Sequence, residues 1–204
     1  MFYKTTDPHG LPHDPFKSCI VPRPIGWVSS ISKAGEVNLA PFSFFNGLAS
    51  DPPMVMFSIN GKQPHGGDKD TLKNCEETGE FVVNMATEAL MDPMNASCAP
   101  VGPEINEFDL SGLTPKKSEL VAPPRVLESP INMECRVHEI VELPCTIEGS
   151  RNAMVLGLVL GIHIADEALT EGLVDIEKIR PLARLGYMDY TVVEKTFTLR
   201  RPKG

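Results

Sequence analysis

Lys69-Asp70-Thr71 stands where a short helix is expected to begin. A lysine, a hydroxyl and the unpaired amides of a helix start together make a site for a phosphate dianion. A solvated lysine beside an ordinary cap is the alternative account of the same residues. Ser58 ends a strand-like run just before the glycine-containing loop that leads to them, so its hydroxyl could reach the same place. Arg23 lies between Pro22 and Pro24, which nearly fix its backbone and let its guanidinium be aimed with little entropic cost. Trp27 is the only tryptophan, suited either to a core or to an edge contact with a planar ring. Around it, Gly26, Ser29, Ala40, Ser43 and Ser58 are small or hydroxylated. A backbone so furnished could approach a flat ligand closely while polar groups hold its edges. His163, in Leu160-Gly161-Ile162-His163-Ile164, reads either as a pocket histidine or as a core or interface histidine with a satisfied hydrogen bond.

Other chemistries lack their signatures. There is no Gly-x-Ser-x-Gly elbow, Gly-x-Gly-x-x-Gly fingerprint, Walker loop or His-Glu-x-x-His pair. With no evident acid, base or nucleophile, the chain fits a protein that binds and orients a cofactor which carries the chemistry. The five cysteines are widely spaced without a Cys-x-x-Cys pair and read as free thiols. His9 and His13 lack a third ligand at regular spacing, so no metal is assigned.

The positioning elements follow from pattern and composition. A chain of 204 residues, 42% hydrophobic and 23% charged, reads as a single domain, residues 1–204, with an N-terminal arm over 1–18 rich in breakers. A net charge of −8 argues against nucleic acid as a partner. No apolar run reaches the ~18 residues of a membrane span, and the basic-then-apolar order of a signal peptide is missing, so a cytoplasmic setting is expected. Strands are expected over 20–31, across the Lys33–Glu36 turn, over 54–59 and 81–85, and as a long hairpin over 131–143 and 154–165. Tyr187–Leu199 should close the chain as a strand pair or a bent strand. Pro41 suggests an edge or bend. Helices are expected over 70–78, capped by Gly79, after Thr87, and over 174–179. Gly61–Gly67 reads as a loop, and 99–128 as a long crossover that covers a pocket. Strands outnumber helices, which fits an antiparallel barrel with peripheral helices.

Several motifs in order then resemble the flavin reductase-like, FMN-binding split-barrel family. They are Arg23-Pro24-Ile25-Gly26-Trp27-Val28-Ser29, Asn38-Leu39-Ala40-Pro41-Phe42-Ser43-Phe44-Phe45-Asn46, Ser50-Asp51-Pro52-Pro53 and Lys69-Asp70-Thr71-Leu72, continued by Thr78-Gly79-Glu80-Phe81-Val82-Val83-Asn84, Glu128-Ser129-Pro130 and Arg184-Leu185-Gly186. The resemblance covers roughly residues 18–202. It implies a mainly β, antiparallel Greek-key split barrel, a homodimer, and FMN near the subunit interface. Carried over, Trp27, Val28 and Ser29 would lie along the flavin or its ribityl chain. Asn38, Leu39, Ala40 and Ser43 would meet the ring, and Ser58, Lys69 and Thr71 would hold the phosphate. Arg23 and Arg184 belong to matching motifs, and Tyr187 and Tyr190 are expected at the dimer or over the pocket. Where many relatives place two glycines after Arg184-Leu185, this chain has Gly186-Tyr187, which leaves the local geometry open. No residue is expected to act as a proton-transfer catalyst.

The function so implied is an oxidoreductase in which hydride passes from NADH or NADPH to flavin, with a monooxygenase or another redox protein as possible partner. The alternative is a flavoredoxin-like carrier that keeps its FMN and takes electrons from a protein. A third is a flavin-binding module without turnover.

Overall fold

The computed structural model describes residues 1–63, 66–102 and 104–202. Pro64 and His65 of the expected loop, and Pro103 of the crossover, lie outside them. The arm runs without regular structure to a 3-10 turn at Phe16–Cys19. Strands β1 (Arg23–Pro24), β2 (Gly26–Ile31), β3 (Val37–Phe42), β4 (Phe45–Ser50) and β5 (Pro53–Asn60) follow. Next come α1 (Asp70–Thr78), β6 (Glu80–Met85), α2 (Met91–Ala96) and α3 (Glu107–Ser111). Two short strands, β7 (Pro115–Lys116) and β8 (Arg125–Val126), precede the long hairpin β9 (Ile131–Leu143) and β10 (Asn152–Ile164). The chain ends through β11 (Leu169–Thr170), β12 (Leu173–Val174), α4 (Ile176–Ile179), β13 (Leu182–Arg184) and β14 (Tyr190–Val192).

Seven strands form one antiparallel sheet in the order β3-β2-β6-β9-β10-β5-β4. Its two edges, β3 and β4, are consecutive in the chain and joined only by Ser43 and Phe44. A link of two residues cannot span a flat seven-stranded sheet, so the sheet curls until its edges approach. The result is the expected antiparallel Greek-key split barrel, with a seam between β3 and β4. Phe42 and Phe45, on either side of that seam, both pack on the interior core of Val28, Phe57, Phe81, Val83 and Val155. Proline at position 41 is tolerated because β3 is an edge strand.

Alternation along β2 builds two cores at once. Val28 points into the barrel, while Ile25 and Trp27 point outward into a second cluster with Leu39, Met94, Phe108, Val126 and Leu182. Each fully enclosed large side chain contributes about 1.5–3 kcal/mol. Helix α1 closes one end of the barrel through Leu72 and Cys75 and ends on Gly79, whose φ of 71° takes the left-handed cap without a Cβ penalty.

The structure differs from expectation in a few places. The first strand is interrupted at Ile25 and starts at Arg23, because residues 16–19 form a 3-10 turn. Thr87 introduces a 3-10 turn at Glu88–Leu90 without a side-chain cap bond, and Pro93 falls in the first turn of α2, where its missing N–H costs little. Helix α4 is shorter than 174–179, because Asp175 caps it by accepting from Lys178 N at 3.1 Å. The final strand pair reduces to β14 in a small sheet with β1 and β13. Beyond it, Thr196 bonds the Glu177 carboxylate instead of a ladder, and Phe197 and Leu199 are exposed. Tyr187 takes the left-handed conformation at φ 54°, the geometry a glycine would hold at that position.

Candidate functional site

Two adjoining cavities open beside the C-terminal half of β3, and both are lined by Pro41 and Cys98. The first, of about 180 Å³, brings Asn38 and Ala40 of β3 together with Lys69 and Thr71 at the start of α1. Asn38 Nδ2 donates to Thr71 Oγ1 at 2.8 Å, which ties the strand to the helix and leaves the threonine proton free to donate. Lys69 sits at the cap position of α1 with no side-chain cap bond, and the first amides of the helix have no acceptor within it. Opposite, Gln63 Nε2 donates to Asp70 Oδ2 at 2.6 Å, and the Leu39 amide donates to Glu107 Oε2 at 3.0 Å. Burial pushes the Glu107 carboxyl above the ordinary carboxylate range, against the pull of the Leu39 amide. A carboxyl held toward its neutral form opposes an anion less than a charged one would. The donor set of lysine, threonine hydroxyl and helix amides therefore fits a phosphate.

The second cavity, of about 380 Å³, gathers Arg23, Ser43 and Arg184 with Lys17, Tyr187 and Tyr190. Arg23 is 4% exposed and spends its guanidinium on backbone carbonyls: Lys17 O, Ile20 O at 2.7 Å and Leu185 O at 2.7 Å. Desolvation, and then Arg184 nearby, lower its pKa. The Arg184 guanidinium lies 4.2 Å from the Tyr190 ring centroid and donates from Nη2 to Tyr187 O at 2.5 Å.

Seven of the twelve expected site residues thus line the two cavities. The other five line neither. Trp27, Val28, Ser29 and Leu39 are fully enclosed and offer no surface to a ligand in this chain. The Trp27 indole donates to Ser97 Oγ at 2.9 Å, so its polar edge is satisfied internally. Val28 faces the barrel core, and Leu39 meets the cavity only through the bond of its amide to Glu107. Ser29 donates to Pro124 O at 2.5 Å and accepts from Asn84 Nδ2 at 3.3 Å, which makes it an anchor for the crossover. Ser58 alternates with the buried Phe57 and Ile59, so its side chain turns to the other face of β5, and it lines neither cavity. The small residue Gly26 likewise accommodates the protein's own ring: a Cβ there would lie 2.6 Å from Phe45 Cδ2.

Gln63, Ser97, Cys98 and Glu107 are cavity residues that sequence reasoning missed. The expectation that the crossover covers a pocket pointed in their direction, since Ala99, Pro100, Val101 and Glu107 all line the first cavity. His163 takes the structural role, with Nε2 2.6 Å from Glu134 Oε1.

Residues 18–183 match the family described as Flavin reductase like domain. The chain belongs to that family. An uncharacterised member in Halalkalibacterium halodurans is 40% identical over 185 residues, 90% of this chain and 87% of that protein. Component B of nitrilotriacetate monooxygenase from Bacillus cereus superposes with a TM-score of 0.88 at 32% identity, covering 98% of each chain. The 2-nitrobenzoate 2-nitroreductase of Pseudomonas fluorescens superposes at 0.78 with 29% identity, over 92% of this chain and 88% of that one. In this flavin reductase-like chain, the phosphate-fitting cavity lies within the matched span, whereas Lys17, Arg184, Tyr187 and Tyr190 fall outside it.

Proposed function

We propose that the protein is a homodimeric FMN-dependent oxidoreductase that takes hydride from NADH or NADPH and serves as the reductase component for a monooxygenase. The observation that carries this reading is the cavity between β3 and the start of α1, where Lys69, Thr71 and Asn38 converge in a flavin reductase-like chain. The likeness to a monooxygenase component supports the partner. Bound flavin supplies a ring that accepts hydride from a nicotinamide and hands the electrons on. The protein's share is to hold and orient it. Lys69 and the helix amides neutralise the phosphate, and the Thr71 hydroxyl, oriented by Asn38, donates to it. Ala40, lacking a long side chain, lets the ring approach β3, and Ser43 offers a hydroxyl near the seam. No side chain needs to move a proton for hydride transfer.

Titration with FMN, followed by rapid mixing of the loaded protein with NADH and with NADPH, tests this. We expect tight binding, about tenfold weaker in Lys69→Ala because a charge-assisted contact is lost. The flavin absorption band should bleach on a catalytic timescale with at least one nucleotide. Binding unchanged in the variant would remove Lys69 from the site, and inertness to both nucleotides would overturn the enzymatic reading.

A further inference from the structure

The flavin reading draws on the larger cavity only through Ser43 and leaves an imbalance of charge there unused. Three cations, Lys17, Arg23 and Arg184, line it, and no aspartate or glutamate does, although the chain has 27 acidic residues against 19 basic ones. Two arginines elsewhere are compensated: Arg151 pairs with Asp68, Glu76 and Glu142, and Arg180 with Glu88 and Glu194. Arg23 and Arg184 have no carboxylate partner among the described residues. Leaving a guanidinium uncompensated beside a buried one is costly unless an anion arrives.

Arg184 is also aimed. Its guanidinium lies over the Tyr190 ring, and the Tyr187 carbonyl holds Nη2 in place. That carbonyl is set by the left-handed backbone of Tyr187, a strained conformation for a bulky residue. Nε and Nη1 of Arg184 have no partner among the described residues, and because they point to different sides of the guanidinium each can give a single charge-assisted hydrogen bond. A fixed cation with donors still free suits a carboxylate. The other walls include Ile25, Met94, Met188 and the two tyrosines, which suit a flat apolar body, with Ser43 and Asn95 as polar groups among them.

We propose that this cavity binds a planar aromatic carboxylate, with the carboxylate on Arg184 and Lys17 and the ring against the wall of Ile25, Met94 and Tyr187. The site adjoins the flavin-fitting cavity at Pro41 and Cys98, close enough for a small aromatic acid to lie beside the flavin. Lys17, Arg184, Tyr187 and Tyr190 lie outside residues 18–183, the span that the family match covers. The inference concerns binding alone and does not depend on which nicotinamide, if any, reduces the flavin.

The test is calorimetric titration of the purified full chain, with and without FMN, using benzoate, neutral benzamide and ADP-ribose as probes. Benzoate should bind, benzamide at least about tenfold more weakly, and Arg184→Gln should lose about tenfold or more of the benzoate affinity. Arg184→Lys, which keeps the charge but loses the anchoring on the Tyr187 carbonyl and the fixed planar donors, should recover only part of it. A readout that needs no variant is alkylation of Cys98, which lines the cavity: benzoate should slow it while leaving the exposed Cys19 unaffected. Equal affinity for benzoate and benzamide, or no benzoate binding, would overturn the proposal. So would ADP-ribose binding that depends on Arg184 when benzoate binding does not, since the cations would then serve a pyrophosphate. Loss of FMN affinity by Arg184→Gln to the same degree would also overturn it, by placing Arg184 in the flavin site. Failure of FMN to bind while benzoate still does would count against the flavin reading and leave this one standing.

Discussion

Glu107 and Glu134 are both enclosed carboxylates, and their partners set them apart. Burial pushes Glu134 up, but the amide of Glu119, His163 and the amide of Leu120 together outweigh it and hold the carboxyl below its ordinary range. Glu107 has only the amide of Leu39 and its own amide, with Asp70 nearby opposing them, and burial prevails. A carboxyl whose folded value lies above the unfolded one binds its proton more tightly in the native state. The native state therefore loses stability as pH rises from the ordinary carboxylate range through that raised value. Glu107→Gln keeps a carbonyl for the Leu39 amide and removes the charge. Its stabilisation, read from thermal melts, should be small near about pH 4 and larger near about pH 8. A gain that does not grow with pH would show that the carboxylate is compensated by a group not identified at the cavity. At this scale Lys69 and Thr71 were legible because helix-start chemistry is local. The burial of Trp27, Ser29 and Leu39 was not, since it depends on what later segments lay over β2 and β3.

Those later segments are held by one side chain in β6. Asn84 donates to Trp27 O at 2.9 Å and Ser29 Oγ at 3.3 Å, and accepts from Val126 N at 2.8 Å and Asn132 Nδ2 at 2.9 Å. It thereby fastens the end of the crossover to β2 and β9. Asn84→Ala would leave the Val126 amide and the Asn132 amide short of a buried acceptor, so urea denaturation should show a loss of about 2 kcal/mol or more. A loss within the range of an ordinary surface substitution would mean that water or a shifted loop replaces the side chain. Most regular elements could be read in advance because their signals are short-range. The α1 helix has its acidic start and Gly79, the first hairpin its Lys33–Glu36 turn, and β9 and β10 their long apolar patterns. The crossover, rich in proline and glycine, carries no period, so its contribution to the cavity walls through Ala99–Val101 and Glu107 could be expected only in outline. The expected strand beyond Val192 failed for a related reason: alternation marks strand preference, but no neighbouring strand meets it there.

Across the whole molecule, β4 presents an edge in which Asn46–Ser50 are exposed without a charged residue or proline. Natural sheets commonly blunt such edges, and one left plain favours pairing with a second copy. Sedimentation equilibrium should accordingly return twice the 22.3 kDa chain mass, and the mass of a single chain would overturn the proposed dimer. The net charge of −8 favours solubility and disfavours nucleic acid, and makes the acid-free cavity stand out the more. The tie through Ser43 and Phe44 reaches further than its length suggests. A permuted chain, opened at that tie and rejoined through its old termini, would retain all six ladders of the large sheet and lose the one covalent strap that keeps it bent. Because Ser43 also lines the larger cavity, slack in the strap would widen that cavity directly. Lengthening one backbone connection could thus retune which molecules enter, with every core side chain left as it is.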